Sequence, residues 1–250
     1  ETGMVEKKWQ EYALVFKELL GLEYSPVALS CLKEPIILDS AKKLRICRAI
    51  LDAGKGETLQ ISKDTNACFG ASWHLGFQKI KDPKVAGMVK KFVVEGEKLF
   101  CSYAALDTLI SQMEDVPDNA NTYFLLAPME KAEFMPELVI FIVDAEAACR
   151  VLTLVTFIDG VLPKIKIGGP TCRLSIIYPL LTGEVNISFY DYTARKMCNV
   201  EKDKLIISVP YNKIPKIIDS IDKCSAGTAK IEFPPEFRQF LQERLAAKPK

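Results

Sequence analysis

Histidine is nearly missing: His74 stands alone among 250 residues, beside only two tryptophans. A hydrolase-type zinc site built on several imidazoles lacks its ligands here, and a Ser-His-Asp triad has a single ring to draw on. An excess of either charge is missing too. Lys and Arg total 33 against 32 Asp and Glu, a net +1, which argues against a dedicated nucleic-acid or polybasic membrane binder. No apolar run approaches the ~20 residues of a membrane span. No signal-peptide pattern follows Glu1-Thr2-Gly3, which reads as a cloning remnant ahead of Met4. No Cys-x-x-Cys occurs, so zinc ribbons, thioredoxin-like pairs and ferredoxin-type runs are absent. These absences describe a soluble, cytoplasmic globular protein with no nucleic-acid or membrane partner. Its 49% apolar and 26% charged residues fit a folded chain.

Cysteine is what the chain has in excess: eight, at positions 31, 47, 68, 101, 149, 172, 198 and 224. In a reducing compartment such thiols serve as buried hydrophobes, metal ligands or nucleophiles.

Periodicity predicts a mixed α/β fold, with helices flanking a mixed sheet. Trp9, Tyr12, Ala13, Phe16, Leu19 and Leu20 recur at helical steps, and Gly21 ends the run. Val85, Met88, Val89, Phe92 and Val93 mark a second helix that Pro83 starts, 103–113 a third, and Phe237, Phe240, Leu241 and Leu245 a last one opened by Pro235. Segments 122–126, 138–143 and 205–209 are β-type runs. The tail 248–250 should be loose.

Landmarks repeat in order along the two halves. Pro26-Val27-Ala28-Leu29, Cys47-Arg48, Thr58-Leu59-Gln60-Ile61 and Cys68 find counterparts in Leu138-Val139-Ile140, Cys149-Arg150, Lys164-Ile165-Lys166-Ile167 and Cys172. The two Cys-to-Cys spacings are 21 and 23 residues. Phe124-Leu125-Leu126-Ala127-Pro128 matches Ile206-Ile207-Ser208-Val209-Pro210. This pattern predicts an internal duplication about a pseudo-two-fold axis. The units are an N-terminal helix (1–22), a first pseudo-repeat (23–132) with a helical insertion (79–100), a second pseudo-repeat (133–222), and a C-terminal helix and tail (223–250).

Cys68 and Cys172 each follow turn residues and precede a helical segment, where free N–H groups favour a thiolate. Cys47-Arg48 and Cys149-Arg150 form the second matched pair, and Cys101 opens a further helical run. Arginine beside cysteine can balance a thiolate, an anionic cluster or a bound anion. The expectation is that Cys68 and Cys172, completed by Cys47 together with Cys101 or Cys149, ligate a metal or iron–sulfur centre in the cleft between repeats. Arg48, Arg150 and Arg173 then hold charge or cofactor, and zinc is the alternative metal. A redox role with a partner protein follows if the centre is iron–sulfur. The competing expectation is a metal-free thiol enzyme or a binder of a small anionic ligand in the same cleft. Cys31, Cys198 and Cys224 read as structural, Tyr190 and Tyr192 as packing residues, and His74 as a satisfied ring. Gly54-Lys55-Gly56-Glu57-Thr58 lacks the phosphate-loop spacing.

Cys68-Phe69-Gly70 with Leu75-Gly76, Gly169-Pro170-Thr171-Cys172, and the strand closed by Pro210-Tyr211-Asn212-Lys213 together resemble the prokaryotic family known as domain of unknown function 169. The similarity runs from about residue 23 to 221. The family has no assigned activity and is common in archaea and anaerobic bacteria. The resemblance therefore implies a cytoplasmic protein from an oxygen-poor setting, where cysteine-ligated iron–sulfur sites are practical.

Overall fold

The computed structural model describes residues 8–38, 42–79 and 82–246. Residues 1–3 and the tail 248–250 lie outside them, as do residues 80 and 81 of the expected insertion.

A six-stranded sheet organises the chain, in the order β2-β3-β1-β4-β6-β5. Its strands are β1 (Val27–Leu32), β2 (Leu59–Ile61), β3 (Tyr123–Pro128), β4 (Leu138–Val143), β5 (Asn186–Ser188) and β6 (Leu205–Pro210). β4 and β6 are apolar without alternation because both sheet faces are covered, so every residue of each is buried. On one face, Leu138, Ile140 and Ile142 of β4 meet Val27, Leu29, Phe124, Leu126 and Ile206. On the other, Val139, Phe141 and Val143 meet Ile207 and Val209.

The first face is roofed by α2 (Ile46–Gly54), α3 (Phe69–His74), a π-helical turn (Arg173–Ile177) and α8 (Tyr192–Cys198). The second is covered by α1 (Lys8–Leu20), α6 (Ala145–Phe157), α9 (Ile214–Ile218) and the short α10 (Ser225–Thr228). α1 docks through Trp9, whose Nε1–H donates to Ala132 O at 2.9 Å, and through Phe16 edge-on to Phe141 at 5.1 Å. The helix expected after Pro83 is α4 (Pro83–Lys91), capped by the Asp82 carboxylate at 2.8 Å from Lys84 N and continued by a π turn over Phe92–Gly96. α5 (Tyr103–Ser111), α7 (Tyr178–Thr182) and α11 (Pro235–Ala246) complete the helices. No helix among the described residues is long and apolar enough to cross a membrane.

Three expectations need correction. The sheet is not mixed: all of its strand pairs are antiparallel. β1 and β2 do run in the same direction, as a helical crossover requires, but β3 is inserted between them. β6 splits β4 from β5 in the same way. Segment 164–167, matched to β2 by sequence, is not a strand; β5 takes that edge instead, with Asn186 Oδ1 accepting from Lys166 N at 2.7 Å.

Third, the duplication is not confirmed. The strand order is palindromic, with β1 and β4 paired across the middle. A two-fold normal to the sheet, however, keeps each face to itself, whereas α2 lies on the first face and α6 on the second. The β1–β4 pairing also makes segments 23–132 and 133–222 share one sheet.

Glycine is required at one junction in particular. Gly76 has φ +79°, and a Cβ there would stand 2.2 Å from Pro117 O. Gly76→Ala should cost at least ~2 kcal/mol in urea denaturation, from backbone strain and overlap together. Gly87→Ala, in α4 with open space around its Cβ, should instead gain about 1 kcal/mol.

Candidate functional site

All eight cysteines are unbridged. Four of them, Cys47, Cys68, Cys172 and Cys198, gather in the core of the first face, where three are buried members and Cys68 packs against them; Cys31 packs on the same core from β1. Cys68 lies within electrostatic reach of each of the other three sulfurs.

Two clamps assemble this cluster from four distant segments. A parallel bridge between Leu44 and Asn66, with Leu44 N donating to Thr65 O and Ala67 N to Leu44 O, ties the start of α2 to the turn before α3. That turn is held by Asn66, whose Oδ1 accepts from Cys68 N at 3.1 Å and whose Nδ2 donates to Cys68 O at 2.7 Å. The second clamp joins Thr171 to Asp191. The Asp191 Oδ2 accepts from Thr171 N and Oγ1 at 3.1 and 2.9 Å, while Asp191 N donates back to Thr171 Oγ1 at 2.7 Å. Its Oδ1 caps α8 through Ala194 N at 2.7 Å. One carboxylate thus fixes both the residue before Cys172 and the start of the helix that ends in Cys198.

Burial holds the Cys47 and Cys172 thiols well above their ordinary value, and the neighbouring sulfurs add to the push. Burial raises Cys198 too, against the pull of Arg45 and Arg48. Cys68 differs in being half-exposed and in accepting a hydrogen bond from Arg45 Nη1 at 3.4 Å. A guanidinium there is placed to face a negative sulfur. His74 is neutral: burial, with the Arg173 cation second, lowers it to about 3. The Nδ1 of His74, the Tyr190 hydroxyl and the Nε of Arg173 are buried with no partner. Tyr190 also takes a left-handed backbone, φ +58°, which costs a non-glycine residue on the order of 1 kcal/mol or more.

The remaining expected residues go elsewhere. Cys101 and Cys149 are exposed and do not join the cluster; Cys149 sits on α6, on the opposite face of the sheet. Arg150 acts as a structural clamp. Its Nε donates to Ala226 O at 2.6 Å and its Nη2 to Leu19 O and Gly227 O at 2.5 and 2.9 Å, joining α6, α1 and α10. Arg48 forms a two-pronged pair with Asp52 one turn on, at 2.8 and 3.0 Å, and keeps electrostatic contact with Cys198. Arg173 is buried, lowered by that burial, and donates Nη1 to Glu114 O at 2.5 Å.

Sequence reasoning missed Cys198, Arg45 and Asp191. Only the four-residue step from Ala194 to Cys198 hints that this thiol faces the core.

Four sulfurs are a donor set that suits a thiophilic metal. As they stand, no three His, Cys, Asp or Glu side chains among the described residues are grouped to hold one. Two clefts lie elsewhere in the molecule, of about 280 Å³ beside Arg150 and Lys204 and about 530 Å³ beside Glu114 and Lys166, and no cysteine lines either.

Arg150→Met should cost about 3 kcal/mol in urea denaturation, since three carbonyls lose a charged donor. The rate of Cys68 alkylation should stay unchanged, because the two residues occupy opposite faces.

No curated protein and no solved structure matches the chain. The family model DUF169, described as "Uncharacterised ArCR", matches residues 15–220, which covers the sheet and all four clustered thiols. The chain is therefore a member of the DUF169 family.

Proposed function

We propose that the protein carries out thiol–disulfide exchange through the four-thiol cluster, with Cys68 as the outer, attacking thiol. The observation that supports this most is the asymmetry of the cluster: one partly exposed, arginine-bonded sulfur stands within electrostatic range of three buried thiols. Such exchange needs a reachable thiolate for the first step and a second thiol behind it for the next. A reducing, cytoplasmic setting suits eight unbridged cysteines.

In the first step, Cys68 gives its proton to solvent and attacks one sulfur of a substrate disulfide. A mixed disulfide forms, and the other substrate sulfur leaves as a thiolate that solvent protonates. Cys172, which lies within electrostatic range of Cys68, then attacks the Cys68 sulfur and gives its proton to the departing substrate thiolate. A Cys68–Cys172 disulfide forms and the second substrate thiolate leaves. The substrate gains two electrons and the protein dithiol loses two. Arg45 balances charge on Cys68 during the first step; Arg173, next to Cys172, is placed to do so during the second.

A second reading, a thiophilic metal or iron–sulfur centre, is favoured by donor number and kind: four sulfurs match the coordination of zinc or a cubane cluster. Cys47, Cys68, Cys172 and Cys198 would hold it, and they would have to draw together from the arrangement described. The centre would supply Lewis-acid or one-electron chemistry.

Dithiobis(nitrobenzoate) added to anaerobically purified protein with Cys101→Ser and Cys149→Ser separates these readings. Exchange predicts rapid release of two chromophores per chain, no retained adduct and a Cys68–Cys172 disulfide in the peptide map. Cys172→Ser should release one and keep the adduct on Cys68. A retained adduct in the parent, or a first reaction elsewhere than Cys68, overturns exchange. Stoichiometric iron or zinc, lost in Cys198→Ser, supports the second reading instead.

A further inference from the structure

The segments that carry the thiols also carry an exposed apolar rim. Phe69, Phe189, Tyr192 and Met197 are each more than half exposed. Phe69 follows Cys68 directly and Met197 precedes Cys198, and these two sulfurs lie within electrostatic reach of one another. Both side chains are thus exposed next in sequence to cysteines of the cluster, Phe69 beside Cys68, its most accessible thiol. Phe189 and Tyr192 adjoin Tyr190 and Asp191, the latter being the residue that caps α8, and the Phe189 carbonyl accepts from Arg195 Nε at 2.7 Å. Large aromatic and methionine side chains held at a surface are what protein interfaces enrich.

Charge at this rim is of one dominant sign. Lys43 and Lys63 are exposed and have no ion pair among the described residues, and the Leu44–Asn66 bridge brings their segments side by side next to Cys68. Lys196 has only the Tyr192 ring beneath it, at 5.4 Å. Arg45 adds its charge at the sulfur itself. Among the described residues of these segments Asp64 is the exposed acid left unpaired, since Glu57 is taken by Lys42 and Asp52 by Arg48.

We infer that this rim is the docking surface for a partner protein that presents its disulfide on an acidic, apolar-centred segment. This inference rests on the exchange reading for its purpose but not for its test. The apolar rim supplies contact area, and the lysines select the partner's sign and speed its approach. Asp191 cannot weaken this selection greatly, because its carboxylate is spent on Thr171 and Ala194.

Full-length protein with Cys68→Ser, which cannot trap a disulfide, is titrated against two fluorescein-labelled peptides. One has Asp and Glu around a central Leu-Phe pair; its twin has Lys in place of each acid. The acidic peptide should bind about tenfold more tightly, a preference that fades by ~0.3 M salt as the charges are screened. Lys63→Glu with Lys196→Glu should reverse the preference, and Phe69→Ser should weaken both peptides alike. Equal binding of the two peptides, or an unchanged preference after charge reversal, overturns the surface. Because no thiol reaction is involved, this result stands whichever way the Cys68 exchange experiment falls.

Discussion

Whether Cys172 and Cys198 share a neighbourhood is decided by the exchange of hydrogen bonds between Thr171 and Asp191, twenty residues apart. Thr171 is fully buried, so its hydroxyl and amide have no water to fall back on and need a partner inside the protein. Asp191 satisfies both and spends its remaining oxygen on the first turn of α8. The strength of such charge-assisted bonds in a low-dielectric setting makes the arrangement stiff. The bridge at Leu44 and Asn66 does the equivalent for Cys47 and Cys68. The cluster is where these two clamps meet against the sheet, and none of its four sulfurs is held by a bond between sulfurs.

Resting protonation follows from the same burial. A neutral thiol enters an apolar core at little cost, while a buried thiolate loses its hydration and, here, faces further sulfurs. Cys47, Cys172 and Cys198 are accordingly held protonated, and His74 neutral. Cys68 lies at the edge, where solvent and Arg45 both reach the sulfur. The cost of leaving Arg173 Nε, Tyr190 and His74 Nδ1 unpartnered, together with the left-handed turn at Tyr190, is concentrated around the same few residues. A core selected for stability alone would have removed these defects.

The elements with strong periodicity were legible in the sequence: α1, α4, α5, β3, β4 and β6 lie close to where their apolar spacing puts them. β5 was not, because Asn186-Ile187-Ser188 offers a single apolar residue and earns its place by pairing with β6. The antiparallel sheet was not either. Each half alternates strand and helix, which suggests parallel neighbours, but a later strand comes back to fill the gap between them, and strand insertion leaves no mark on local periodicity. The ordered landmarks that suggested duplication do map onto corresponding strands of a palindromic sheet. They fail at the helices, since the face a helix covers depends on the path of its connection and not on its own residues.

The three Cys-Arg dipeptides show why the candidate site was only half legible. Successive residues on a helix point about 100° apart, so one of each pair can face the sheet. In α2 the inward residue is Cys47, which leaves Arg48 to turn outward and pair with Asp52. In α6 the register is shifted by one, so Cys149 is solvated and Arg150 reaches inward to three carbonyls. Cys172-Arg173 opens a π-helical turn, whose wider spacing lets both residues be buried. The same two letters therefore specify a thiol with a solvated cation, a cation with a solvated thiol, or a buried pair. What selects among them is the phase of each helix against the sheet, a property of packing that no dipeptide carries, and Cys198 enters the cluster by that phase alone.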